Sequence, residues 1–163
     1  MFLINTLKCA LYFIIVGIAS HFWGEALPRD RFDPDRFPYS QYPWEIDGRL
    51  YRFLRVKRWK NRLPDAGDYW NDMRPKRVAG EITAASLDTL IIETCVSEHT
   101  HSLLCVLSLG ACIIWPGRGG AVCCFISVFI NMQFIIIQRY NRPHLQKLSR
   151  WLKVREERRI LYK

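Results

Sequence analysis

No two cysteines in this chain stand in the C-x-x-C spacing that zinc and iron–sulfur frameworks use, although there are six of them. Cys9, Cys95, Cys105, Cys112, Cys123 and Cys124 all lie in or beside apolar runs, where they read as small apolar fillers of helices. Only one Glu-x-x-His motif is present, so a di-iron set, which needs two, is incomplete and no metal is expected. Internal repeats and low-complexity tracts are absent. Acidic residues are scarce after Ile137, with two against nine Lys/Arg, whereas Gly24 to Asp88 is nearly balanced at eleven against thirteen. The excess positive charge therefore sits almost wholly in the tail behind the last apolar run, where it suits an anionic membrane leaflet rather than nucleic acid.

What is abundant is apolar material, 50% of the residues, and it is segregated into Phe2 to Trp23 and Leu103 to Ile137. Such segregation predicts a membrane protein rather than a soluble globule. The start has a signal-peptide look, but Lys8 lies inside the apolar run and aromatics follow Ala19-Ser20 at once, so a retained first span is expected. The stretch "PRDRFDPDRFPYS" interleaves prolines, charges and aromatics and predicts an irregular interfacial segment. "WEIDGRLYRFLRVKRW" predicts a turn around Gly48 and an interfacial element ending at Trp59. A helix is expected from Ala84 or Ser86 through Trp115, a tight turn at "PGRGG", a last span from Ala121 to Ile137, and a break at Pro143 before a basic amphipathic helix.

The expected fold is thus an all-α integral membrane protein with about three transmembrane helices. Residues 1–23 form the first span, 24–85 a cytoplasmic interfacial segment, 86–137 a helical hairpin of two spans, and 138–163 the basic tail. Three spans put the mixed-charge segment and the tail on one side, and the tail's excess of Lys/Arg makes that side the cytoplasm.

One stretch contradicts the apolar pattern around it. "IIETCVSEHTHSLL", Ile91 to Leu104, sets two glutamates, two histidines and several hydroxyls at the mouth of a helix. At 3.6 residues per turn, Thr94, Ser97, His101, Cys105 and Ser108 lie on one side of Glu98, within roughly 100° of it, while His99 and Glu93 point elsewhere. Glu98 and His101 are i,i+3 neighbours, so the carboxylate can orient the imidazole and leave its other nitrogen as a base toward a hydroxyl. The alternative is that these groups merely sit in the headgroup layer, which suits His99. At about 1.5 Å rise per residue, His101 lies roughly 22 Å and Arg139 roughly 28 Å from the "PGRGG" turn, so topology brings "QRYNRP" beside the polar stretch. Arg139 and Arg142 there could stabilise an oxyanion or hold a phosphate and Asn141 could donate a hydrogen bond, or all three could simply follow from the positive-inside rule and helix termination. Trp59 and Lys60 suit a headgroup anchor, and Asp65 a turn.

"LIIETCVSEHTH", followed after the hairpin by "IIIQRYNRPHLQKL" and "LKVREER", resembles the glycosyl-diaponeurosporenoate acyltransferases, bacterial membrane enzymes that complete staphyloxanthin. The upstream "WEIDGRLY" and "RWKNRLPD" are similar to the same family's cytoplasmic segment. The resemblance implies esterification of a sugar hydroxyl on a glycosylated carotenoid acid by a fatty acyl chain. It carries Glu93, Thr94, Glu98, His101, Arg139, Tyr140, Asn141, Arg142 and Pro143 onto the family pattern, with Trp59, Lys60 and Asp65 upstream. The resulting expectation is an O-acyltransferase of the bacterial inner membrane, with His101 as general base and Glu98 orienting it. Arg139, Tyr140, Asn141, Arg142, Glu93, Thr94, Trp59, Lys60 and Asp65 would bind acceptor or donor, and no cofactor is expected beyond an acyl thioester co-substrate on coenzyme A or carrier protein. A glycosylated lipid is the other expected acceptor. The competing functions are a non-catalytic membrane scaffold and another small membrane transferase, such as a methyltransferase. The H-x-x-x-x-D motif of the common acyltransferases is missing, so their mechanism does not transfer.

Overall fold

A computed structural model of the chain describes residues 1–60 and 83–161. Within them the regular structure is entirely helical: α1 (Phe2–Ala26), α2 (Arg49–Phe53), α3 (Val56–Trp59), α4 (Ala84–Leu107), α5 (Gly110–Ile114) and α6 (Arg118–Leu161), with one 3-10 turn at Arg29–Arg31. Among the described residues, three helical stretches are long and apolar enough to cross a membrane: Phe2–Ala26, Ala84–Ile114, which takes in α4 and α5, and Arg118–Leu161. The chain divides into two compact units, Met1–Phe32 with Val96–Gln138, and Asp33–Cys95 with Arg139–Lys163.

In the first unit, α1 and the first part of α6 turn rows of large apolar side chains outward, among them Leu7, Leu11, Ile14 and Ile18 on α1 and Val122, Phe125 and Phe129 on α6. Such continuous exposed apolar faces are rare on proteins surrounded by water and suit a hydrocarbon environment. Inside the unit some of the contacts are made by small polar side chains. The Ser108 and Ser127 hydroxyls lie 2.7 Å apart, and Cys105 Sγ reaches toward Val128 O at 4.0 Å.

The expected uninterrupted helix from Ala84 or Ser86 to Trp115 is not observed. It breaks after Leu107, because the Tyr12 hydroxyl donates to the Leu107 carbonyl at 2.7 Å. That carbonyl would otherwise serve Ala111 N, which bonds Ser108 O instead. Leu109 N likewise bonds Val106 O, so the chain tightens to i→i+3 bonds before α5 begins. The predicted turn at "PGRGG" is present: Gly117 has φ +94, and a Cβ on Gly120 would lie 2.1 Å from the Trp115 carbonyl oxygen.

In the second unit the segment from Asp33 to Gly48 is irregular, as its prolines and alternating charges predict. Gly48, at φ +65, closes the turn from which α2 starts. Arg55 separates α2 from α3 in the left-handed region, at φ 50 and ψ 37, a conformation that costs a non-glycine residue about 1–3 kcal/mol. Trp59 Nε1 donates to Leu54 O at 2.9 Å across this bend, and Val56 is fully buried beneath it.

The expected break at Pro143 does not occur; α6 runs through it for 44 residues. Proline removes one N–H and crowds the carbonyl four residues earlier, that of Arg139, which ordinarily kinks or stops a helix. Here the turn is held from outside, by Arg139 and Arg142 side chains bonded to other segments of the unit. His144 Nδ1 also lies 2.8 Å from the Tyr140 carbonyl, helping to satisfy the backbone beside the proline. The basic tail is therefore the continuation of the last long helix. Its start is tied to α4 through Asp88, which accepts from Ser149 Oγ at 2.6 Å and pairs with Lys153 at 2.8 Å.

Candidate active site

Within the first unit, the polar face of α4 meets α6 at His101. Its Nδ1 lies 2.8 Å from Asn131 Oδ1, and its ring stacks on Phe134 at 4.6 Å with the planes 4° apart. The Asn131 amide favours one position for the proton. Its NH2 group donates to the Ser127 carbonyl at 2.9 Å, so the oxygen faces His101 and can only accept. Nδ1 is then the donor, and in the neutral imidazole Nε2 holds the lone pair. Glu98 is buried three residues earlier on the same helix, 6% exposed, with its backbone carbonyl accepting from Ser102 Oγ at 2.7 Å. His99 packs on a different face, stacked on Trp23 at 5.5 Å and edge-on to Phe32 at 5.8 Å.

Beside Asn131 lies a cavity of about 410 Å³, lined by α1, α4 and α6. Phe13, Val16, Leu104, Leu107, Ile126 and Ile130 give it apolar walls, with Asn131 and Ser127 among its few polar groups. Its volume lies in the range of roughly 300–1,000 Å³ typical of small-molecule sites. Asn131 thus touches both the imidazole and an apolar space. The sequence reading did not single it out, because an Asn in mid-span carries no motif; its one signal was a polar side chain in a mostly apolar run that also holds Ser127 and Gln133.

The second unit gathers the "QRYNRP" residues. The Arg139 guanidinium forms a paired contact with Glu45, Nε to Oε1 at 2.8 Å and Nη2 to Oε2 at 2.7 Å, and also donates to the carbonyls of Pro38 and Ser40 at 2.9 Å each. It lies over the Tyr42 ring at 4.1 Å. Glu45 also accepts from Tyr51 Oη at 2.6 Å and Tyr42 N at 2.8 Å. Burial alone raises the Glu45 carboxyl, but the bonds from Arg139, Tyr51 and Tyr42 and the charge of Arg139 outweigh it and hold the group below the ordinary glutamate value of 4.5. Arg142, 2% exposed, donates through Nε to Thr94 Oγ1 at 2.8 Å, through Nη2 to Thr94 O at 3.1 Å, and to the Tyr39 carbonyl. Thr94 belongs to the polar stretch of α4, so at this point the two sequence motifs do meet.

Lys60, Tyr140 and Asn141 form a second group in the same unit. The ammonium donates to Asn141 Oδ1 at 2.9 Å and sits 4.8 Å from the centre of the Tyr140 ring. Burial, then repulsion by Lys57, lowers the Lys60 pKa. Glu93 is half-buried on α4 and Trp59 serves the α2–α3 bend, while Asp65 lies outside the described residues. Among the described residues, no three His, Cys, Asp or Glu side chains cluster to hold a metal.

A sequence model of the glycosyl-4,4'-diaponeurosporenoate acyltransferases matches residues 34–151. Proteins of that name from Staphylococcus aureus are similar along nearly the whole chain. The one from strain MRSA252 is 29% identical over 155 residues, 92% of this chain and 91% of its own, and the one from strain bovine RF122 / ET3-1 is 28% identical over the same shares. No solved structure matches. A match over most of the chain, spanning both the His101 stretch and "QRYNRP", shows that this protein belongs to the glycosyl-4,4'-diaponeurosporenoate acyltransferase family and is an acyl-transferring enzyme of carotenoid biosynthesis.

Proposed function

We propose that the protein is a membrane O-acyltransferase that moves a fatty acyl chain from a thioester onto a sugar hydroxyl of a glycosylated carotenoid acid, with His101 as general base. The observation that carries this reading is the Ser127–Asn131–His101 chain of hydrogen bonds, which favours a proton on Nδ1 and so supports Nε2 as the acceptor for the hydroxyl proton. The acceptor oxygen loses its proton to Nε2 as it attacks the thioester carbonyl. The tetrahedral intermediate then collapses to the ester, the C–S bond breaks, and the thiolate takes the proton back from His101. Glu98, buried one turn earlier on the same helix, helps to orient the imidazole.

The apolar cavity beside Asn131 takes a hydrocarbon chain of one substrate. The three long helices cross the bacterial inner membrane, and the segment after α1 and the basic tail lie on the cytoplasmic side, following the excess of Lys/Arg after Ile137. Arg139 and Arg142 act as clamps, since their donors are directed at protein acceptors, and Lys60, Tyr140 and Asn141 remain the binding candidates of the second unit. Reconstituted enzyme given glycosyl-4,4'-diaponeurosporenoate and an acyl thioester should form the ester, and His101→Gln should lose about 10²–10⁴-fold in kcat. Ester formation undiminished in that variant would remove the histidine from the chemistry.

A further inference from the structure

The α2–α3 bend forms one wall of a second cavity, of about 780 Å³, in the second unit. Five cations line it: Arg52, Arg55, Lys57 and Arg58 from the bend, and Lys147 from α6. Two acids also line it, Glu45 and Asp47, but the first is paired with Arg139 at 2.7 Å and the second with Arg49 at 2.9 Å, so neither balances the five. Among the described residues, Arg55, Lys57, Arg58 and Lys147 make no ion pair, and all four are exposed. A solvated basic face needs no concavity and no backbone strain, yet here Arg55 is held in the left-handed region at the bend that sets this wall. Strain of this kind accumulates at ligand clamps. Charge is also dense enough that Lys57 helps lower the Lys60 pKa, after burial.

We infer that this cavity binds the phosphate groups of the acyl donor, and that the donor is a coenzyme A thioester. The inference rests on the acyl-transfer reading. A concave site of this volume suits a small polyanion, whereas an acidic carrier protein would need a broad convex-to-flat surface. Arginines supply the forked donors that phosphate oxygens accept, and cations along one wall suit phosphates spaced along one molecule.

The test uses the full-length enzyme in phosphatidylcholine nanodiscs, with free coenzyme A as probe and the double variant Arg55→Gln/Arg58→Gln, whose side chains are exposed. Coenzyme A affinity should fall at least tenfold in the variant and fall with added salt in the wild type. The donor KM should rise by a similar factor with kcat and acceptor KM unchanged. With an acyl N-acetylcysteamine thioester, which has no phosphates, wild type and variant should be equal. Equal coenzyme A affinity in the two proteins overturns the inference. So does a variant defect that persists with the phosphate-free thioester, one that appears only when anionic lipid is added, or donor activity from an acyl carrier protein alone. Failure of the underlying reading is a different result: wild-type enzyme that binds coenzyme A yet forms no ester from either thioester.

Discussion

On the proposed mechanism His101 and Asn131 act together, since the asparagine oxygen faces Nδ1 at 2.8 Å. Asn131→Leu, similar in size but unable to accept, should lower kcat about five- to tenfold, the worth of roughly one hydrogen bond, with substrate KM nearly unchanged. Asn131→Asp, which still accepts, should recover part of the loss, and steady-state kinetics of the pair read this out. Glu45 makes a prediction about pH instead. Its folded pKa is depressed, so the stability it contributes is fully present above the ordinary glutamate value of 4.5 and is lost as pH falls through the lower folded value. Thermal unfolding in detergent should therefore show acid destabilisation in that range that Glu45→Gln abolishes. At neutral pH the same variant should lose about 3–5 kcal/mol, since Arg139 is left buried without its carboxylate. At this scale the sequence directed attention to the Ile91 to Leu104 stretch and to His101. It did not show Asn131, whose partner is thirty residues away, nor that His99 belongs to an aromatic cluster with Trp23 and Phe32.

Helices were legible wherever their cause was local. Long apolar runs produced α1 and the core of α6, and the "PGRGG" turn followed from its glycines. Gly120→Ala should destabilise the hairpin by about 1–3 kcal/mol, because its Cβ would meet backbone carbonyls. Gly17→Ala, with nothing within 4 Å, should be neutral or stabilising by about 0.5–1 kcal/mol. Melting temperatures of the two variants make the comparison. Where tertiary contacts override local rules, the reading failed. Tyr12 diverts the Leu107 carbonyl and splits the second long helix, and external bonds from Arg139 and Arg142 carry α6 across Pro143. No local pattern in the sequence announces either contact. Pro143→Ala should accordingly keep the helix and raise stability, by up to about 3 kcal/mol.

At the scale of the whole molecule, the segregation of apolar and charged residues and the exposed apolar faces of the first unit agree with each other. They support an enzyme whose acyl chemistry is carried out on membrane-dissolved substrates. The family match makes the protein an acyl-transferring enzyme, which sets aside the scaffold reading. The methyltransferase alternative predicts label from S-adenosylmethionine in the product, and the present account predicts none. The central claim, acyl transfer through His101, is tested most directly by mass spectrometry of the glycosylated carotenoid after incubation with an acyl thioester and reconstituted wild-type or His101→Gln enzyme. The account predicts a product heavier by one esterified acyl chain with the wild type and little or none with the variant. Equal amounts of that ester from both proteins would contradict it.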